Sequence, residues 1–217
     1  MRVDTVPLWL APFFLLLSYV LGSTLYFLGT FLPRLVCPVV LEPRDYDVLG
    51  QKRIYCIWHE DLIGAFIWLS AIKHQQVWMN HPMWYMKPIH VMLKLLGIRR
   101  IILGSTGHQG RDAADKLVQE LSQGASTLVA LDGPSGPVFQ PKKGPVHMAY
   151  QSGAVLVPLK FGMERSLRLM GWDRKKFPLP FSKITLKVMG EMQIDHRENI
   201  DDVVERISEM LMVEGGH

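Results

Sequence analysis

The sequence predicts an α/β fold, a mainly parallel central sheet flanked by helices, preceded by an N-terminal membrane-associated helical segment. Two observations point to the α/β part. From Arg53 onward, short apolar runs rich in Ile, Val and Leu alternate with helix-period patterns, as parallel sheets with crossover helices require. The runs also end repeatedly in polar or turn-forming residues, at His59-Glu60, Gly104-Ser105 and Asp132-Gly133. A third observation sets the N-terminus apart: no charged residue occurs from Thr5 to Pro33. A straight helix of that length exceeds the roughly 30 Å hydrocarbon core of a bilayer. The expected division is therefore residues 1–41 as the membrane-associated segment and 42–217 as the α/β domain.

The apolar segment has Pro7 and Pro12 at its start, Gly22, Ser23 and Gly29 within it, and Pro33 and Pro38 at its end. Hydropathy fixes its burial but not its path, so one tilted span and two short helices dipping into one leaflet both remain open. A cleaved signal fits less well, because its basic region is reduced to Arg2, offset by Asp4, and the apolar stretch is too long. Residues 42–52 read as a charged, turn-rich linker.

Strands are expected at 53–57, 76–79, 99–103, 126–131, 155–161 and 184–189. Helices are expected at about 60–73, at 88–96 opened by Pro88 and stopped by Gly97, at 146–152, and at 199–212 with Asn199 as its cap. Over 111–122, Ala114, Leu117, Val118 and Leu121 share one helical face.

The chain has 217 residues, 48% hydrophobic and 20% charged, enough to bury a sizeable core. A formal net charge of +4 is too small to suggest nucleic acid and fits an anionic membrane surface or phosphate-bearing ligands better. Two cysteines, Cys37 and Cys56, give neither a disulfide framework nor zinc spacing.

Four places could carry chemistry. His59 follows a strand and opens a helix, where an imidazole of near-neutral pKa can be held firmly and still reach solvent. Taken alone it reads better as an ordinary histidine at a helix start, with Glu60 and Asp61 complementing the helix dipole. Gly104-Ser105-Thr106 ends a strand in small and hydroxyl residues, whose backbone N–H groups suit an oxyanion or phosphate as well as a plain turn. Asp132-Gly133-Pro134-Ser135-Gly136-Pro137, followed by Lys142 and Lys143, makes a rigid loop at a strand's carboxyl end, where open α/β sheets bind ligands. Pro158 lies inside an apolar strand and implies an edge, a bulge or a kink.

Taken in order, these segments resemble the glycerolipid, or lysophospholipid, acyltransferase superfamily, most closely its short bacterial branch formerly of unknown function. The resemblance runs from Ile54 to Ile194 and is most specific from Gly104 through Gly144; Trp172-Asp173 and Phe177-Pro178-Leu179-Pro180-Phe181 look like that branch's downstream signature. It implies that His59 is the general base on an acceptor hydroxyl, and that the donor is an acyl thioester of coenzyme A or acyl carrier protein. It further implies that Gly104, Ser105, Thr106, Gly133, Pro134, Ser135 and Gly136 steady the acceptor and the oxyanion, and that Pro158 shapes the acyl or acceptor site; the loop's own Lys142 and Lys143 are expected to meet phosphate. Neither a cofactor nor a metal is expected. The implied partners are membrane lipids and the thioester donor, not nucleic acid, and the implied location is the cytoplasmic face of the inner membrane.

Two positions depart from the family pattern. Gly64 stands five residues after His59, where the family has Asp, and Leu103 stands where the family has an acceptor-binding Arg. Asp132 is the expected substitute for the first, approaching His59 from a neighbouring strand end. Arg99, Arg100, Arg111, Lys142 and Lys143 are candidates to compensate for the second. A catalytically silent lipid-binding protein and an acyltransferase acting on a glycolipid acceptor of lipid A type are the alternatives.

Overall fold

A computed structural model of the chain describes residues 7, 9–47, 50–72, 76–104, 110–195 and 197–212. Its centre is a five-stranded sheet in the order β1-β9-β6-β2-β5, built from β1 (Val39–Glu42), β2 (Arg53–Ile57), β5 (Thr127–Ala130), β6 (Val155–Met163) and β9 (Ile184–Val188). Neighbours run parallel except β6 and β9. A parallel pair, β3 (Val77–Asn80) with β4 (Arg100–Leu103), is joined to the β5 side by a bridge from Gln76 to Ser126. A short hairpin, β7 (Ser166–Arg168) with β8 (Lys176–Pro178), stands apart.

The alternation of side chains in β2 divides the core. Ile54, Cys56 and Trp58 face one side, where α5 (Gly110–Ser122), α6 (Gly144–Ser152) and α7 (Ile200–Met212) supply Leu117, Leu121, Val146, Ala149, Val203 and Ile207. Tyr55 and Ile57 face the other side and meet α3 (Leu62–Leu69) and α4 (Lys87–Leu95). The result is the mainly parallel, helix-flanked sheet that the sequence predicts, with every expected strand and helix of the α/β part present. The helix expected over 60–73 is shorter, a single 3₁₀ turn at His59–Asp61 followed by α3, which ends at Leu69.

The region read as linker differs. Val39–Glu42 forms β1, paired with β9 from Val39↔Ile184 to Glu42↔Lys187. The break expected between residues 41 and 42 thus falls inside a strand, and the sheet begins at Val39. Pro158 lies in the body of β6, paired with Cys56, rather than on an edge. Its missing N–H is accommodated by a bulge on the facing strand. Leu156 bridges Met192 while Leu159 pairs with Val188, so two residues of β6 face three, Met189 to Glu191.

Of the two paths open for the apolar segment, the chain takes the continuous one. α1 (Ala11–Tyr26), a π-helical turn at Phe27–Phe31 and α2 (Leu32–Val36) form one helix of 26 residues. It is long and apolar enough to cross a membrane, and only 11% of its most apolar window is buried within the protein. Trp9, Phe13, Leu16 and Leu35 are each more than 60% exposed. The helix is fixed to the domain by α4. A Cβ on Gly22 would lie 2.5 Å from the Pro88 carbonyl oxygen and 2.6 Å from the Val91 Cβ, so the two backbones meet at a distance only glycine permits. The variant Gly22→Leu should force α1 off α4 and destabilise the protein by about 1–3 kcal/mol, measured as a lower thermal midpoint in detergent and faster proteolysis near Pro88.

Candidate active site

The parallel pairing of β2 and β5 builds the site. Ile57 registers with Ala130, and the Leu131 N–H continues the ladder to the Ile57 carbonyl, so the residues that follow the two strands emerge side by side. Those residues are His59 and Asp132. The His59 Nδ1 lies 2.7 Å from Asp132 Oδ1, and the same oxygen accepts the His59 backbone N–H at 3.1 Å. Asp132 Oδ2 accepts the Phe139 N–H at 3.4 Å. Asp132 is fully buried and His59 retains 15% of its side-chain exposure. A carboxylate facing Nδ1 favours the tautomer that carries its proton there, leaving Nε2 with a free lone pair. The pair therefore has the form of an oriented base, and the acid that Gly64 does not provide stands at the end of the next strand.

The Asp132 loop is held tightly. Gly133 and Gly136 have φ of +66° and +70°, and the Lys142 N–H returns to the Leu131 carbonyl at 2.7 Å, closing the loop at its base. The Lys142 stem lies against Gly133, and the six-membered ring of Trp172 against Gly136. Pro134 and Ser135 complete the turn between the two glycines.

The other expected residues are distributed as follows. Gly104 is at the carboxyl end of β4, its N–H on the Asn80 carbonyl, and parallel pairing puts that end at the same sheet edge as His59 and Asp132. Ser105 and Thr106 lie outside the described residues. Lys143 is committed to an ion pair with Asp201 at the start of α7. Pro158 is buried within the sheet beside Cys56, three residues short of His59, and its place is in the strand rather than in the loops about the imidazole. Arg99 and Arg100, two of the candidates to compensate for Leu103, both pair with Glu120 of α5.

Two features were not expected as parts of the site. Trp172, from the connection between β7 and β8, packs on the imidazole with ring centroids 4.9 Å apart. Below it, Glu60 and Asp61, which follow His59 directly, meet the hairpin: Lys176 Nζ is 2.9 Å from Glu60 and 2.7 Å from Asp61, and Arg168 is 2.7 Å from Glu60. Burial opposes the Lys176 charge, but Asp61 and Glu60 hold its pKa above the ordinary lysine value. Burial likewise opposes the Glu60 charge, and Lys176 with Arg168 still holds that carboxyl below its usual range. The only sequence signal for either feature was the likeness of Trp172-Asp173 to a branch signature. Among the described residues no group of His, Cys, Asp and Glu is arranged to hold a metal ion.

No family model matches the chain. An uncharacterized protein of Rickettsia prowazekii (strain Madrid E) is 27% identical over 167 residues, covering 74% of this chain and 75% of that one. Among solved structures, the chain is similar to the 1-acyl-sn-glycerophosphate (LPA) acyltransferase PlsC of Thermotoga maritima, with a TM-score of 0.52 and 15% identity, covering 92% of this chain and 81% of the other. At that identity the likeness shows a shared fold, a helix-flanked sheet with an N-terminal apolar helix.

Gly64 explains why the orienting acid is elsewhere. A Cβ there would lie 3.0 Å from three atoms of the Phe161 side chain, so the position is filled from the opposite side. Gly64→Asp should therefore bury a carboxylate without a partner and cost about 3–5 kcal/mol, read as a drop in the denaturation midpoint of the purified protein with no gain in activity.

Proposed function

We propose that the chain is an O-acyltransferase that moves a fatty acyl group from an acyl-CoA or acyl-carrier-protein thioester to a hydroxyl of a lysophospholipid-like acceptor at the membrane. The observation that carries this reading is the 2.7 Å contact between His59 Nδ1 and the buried Asp132 carboxylate. The acyltransferase fold supports it, and so does the exposed apolar helix, since acceptor and product both partition into a bilayer.

In this reading His59 Nε2 removes the proton from the acceptor hydroxyl as its oxygen attacks the thioester carbonyl. Asp132 keeps Nδ1–H in place and balances the imidazolium that forms. The backbone N–H groups of Ser135 and Gly136 steady the oxyanion. When the intermediate collapses, the C–S bond breaks, the ester remains on the acceptor, and the thiolate takes the proton back from His59 Nε2. No external oxidant, reductant or metal enters this balance. Lys142, beside Gly133, is the basic residue of the loop best placed for a phosphate of the acceptor or donor. The work is assigned to the cytoplasmic face of the inner membrane, where thioester donors are made.

One observation favours a second acceptor class. Leu103 offers no charge, and Arg99 and Arg100 are spent on Glu120. An acceptor that presents sugar hydroxyls, as a glycolipid of lipid A type does, needs no arginine at that point.

The purified protein, given acyl thioester and mixed membrane lipids, should release free thiol and form an acylated lipid identified by mass spectrometry. His59→Ala should lower the rate by about 10²–10⁴-fold with the fold retained, and Asp132→Asn should lower kcat more than it raises KM. Unchanged turnover in His59→Ala removes the imidazole from the mechanism, whereas acyl-thioester binding without any product points to a silent lipid-binding protein. The acylated product itself separates a lysophospholipid from a glycolipid acceptor.

A further inference from the structure

The segment 164–183, which holds the β7–β8 hairpin, has no covering element over its connection and its base among the described residues. Met170 is fully exposed and Phe181 is 76% exposed, with Leu167, Leu169 and Trp172 also open to solvent. A soluble protein rarely leaves so many large apolar side chains clustered at one projection. The same 20 residues contain six basic and two acidic side chains, a surplus equal to the net charge of the whole chain. Arg168, Lys175 and Lys176 are used internally, on Glu60, Asp173 and Asp61. Arg165, Arg174 and Lys183 have no carboxylate partner among the described residues, although Arg165 reaches the Pro180 carbonyl.

From this we infer that the 164–183 hairpin is a second membrane contact, whose apolar connection enters an anionic phospholipid surface while Arg165, Arg174 and Lys183 meet its headgroups. Two further observations favour a bilayer as the occupant. The hairpin base is continuous with the end of the apolar helix: the Cys37 thiol donates to the Leu179 carbonyl at 3.4 Å, and the Ile184 N–H to the Pro38 carbonyl at 2.9 Å. Phe181 thus stands beside the point where the exposed helix joins the sheet. The tip also carries Trp172, which rests on His59, so lipid at the hairpin is lipid at the imidazole. An acidic carrier protein would explain the free cations but not the exposed Met170, Leu169 and Phe181.

The inference deepens the proposed function, since it brings the bilayer to the site that reading uses. Its test measures lipid contact and not turnover, so either can fail alone. Cys37 and Cys56 are buried, which confines labelling to an introduced thiol. The full chain carrying an environment-sensitive fluorophore at Met170→Cys is reconstituted into vesicles of phosphatidylcholine, with or without phosphatidylglycerol, and quenched with spin-labelled lipid. A second label at Glu209→Cys, exposed on α7, is the reference.

The expected result is a blue shift and at least about twofold stronger lipid quenching at 170 than at 209 when the anionic lipid is present, reduced by about half or more in Arg174→Glu/Lys183→Glu. Equal, water-like signals at 170 and 209 in both vesicle types overturn the inference. So does a response at 170 to an acidic carrier protein in detergent with none to vesicles, which assigns the surface to a protein partner. Because the N-terminal helix is intact in every sample, loss of the signal at 170 reports the hairpin and not detachment of the chain.

Discussion

The contact between His59 and Asp132 depends on the parallel ladder of β2 and β5. A one-residue slip would turn the acid or the imidazole to the other face of the sheet. The ladder continues one step past the strands, through the Leu131 N–H to the Ile57 carbonyl, and this step lines up the two residues that follow. Burying a carboxylate is costly unless its oxygens are satisfied. Asp132 meets that cost with three contacts, to the His59 backbone, the His59 ring and the Phe139 N–H. The closed loop from Leu131 to Lys142 is what delivers the last of them. The tight glycine turns are therefore part of the electrostatics of the imidazole, and not only a ligand-binding loop.

Much of this frame was legible in the sequence because it rests on local pattern. The strands at 53–57, 99–103 and 126–131 are apolar runs bounded by turns, and the one-sided apolar spacing of 111–122 can only be a helix. His59 and Asp132 could be paired in advance because both follow strands and Gly64 offers no acid where the resemblance would place one. Other parts carry no local signal. Val39–Glu42 is too short and too close to the apolar segment to be separated from it, and only its pairing with β9 makes it a strand. The three-residue strands of the hairpin, Ser166–Arg168 and Lys176–Pro178, lack alternation and are charged. The Arg168–Glu60 pair joins residues 108 apart in the chain, and Arg99 and Arg100 were free to be substrate ligands until Glu120 was found beside them.

The hairpin and the sheet grip His59 from opposite sides. On one side Asp132 fixes the ring and its own peptide N–H. On the other, Glu60 and Asp61 are drawn to Lys176 and Arg168, so the 3₁₀ turn that begins with His59 is tied to the hairpin that carries Trp172. The displacements of Lys176 and Glu60 agree with this arrangement, whereas burial pushes the Asp61 carboxyl up. Lys176 stays charged although buried, held up chiefly by Asp61 and then by Glu60, and Lys176 with Arg168 holds the buried Glu60 carboxyl below its usual range. A network of that kind is expensive to leave half-made, which makes the hairpin and the turn move together or not at all.

Gly64 and Phe161 show why no acid stands on the helix that follows the imidazole. An acid four or five residues along the helix that follows the imidazole must reach back across a turn, and it needs open space on that face of the helix. Here Phe161 from β6 occupies the space, with its ring at the limit of contact with Gly64, and it contributes apolar burial where a carboxylate would need a partner. An acid at the end of β5 has neither difficulty. It sits directly beside the imidazole because parallel strands bring their carboxyl ends together, and its second oxygen is satisfied by its own loop. Orientation of the base then depends on strand register, which the whole core enforces, rather than on the rotamer of one long reach across a helix. On that argument an acid at the end of β5 orients the imidazole from a stiffer support than an acid on the following helix would.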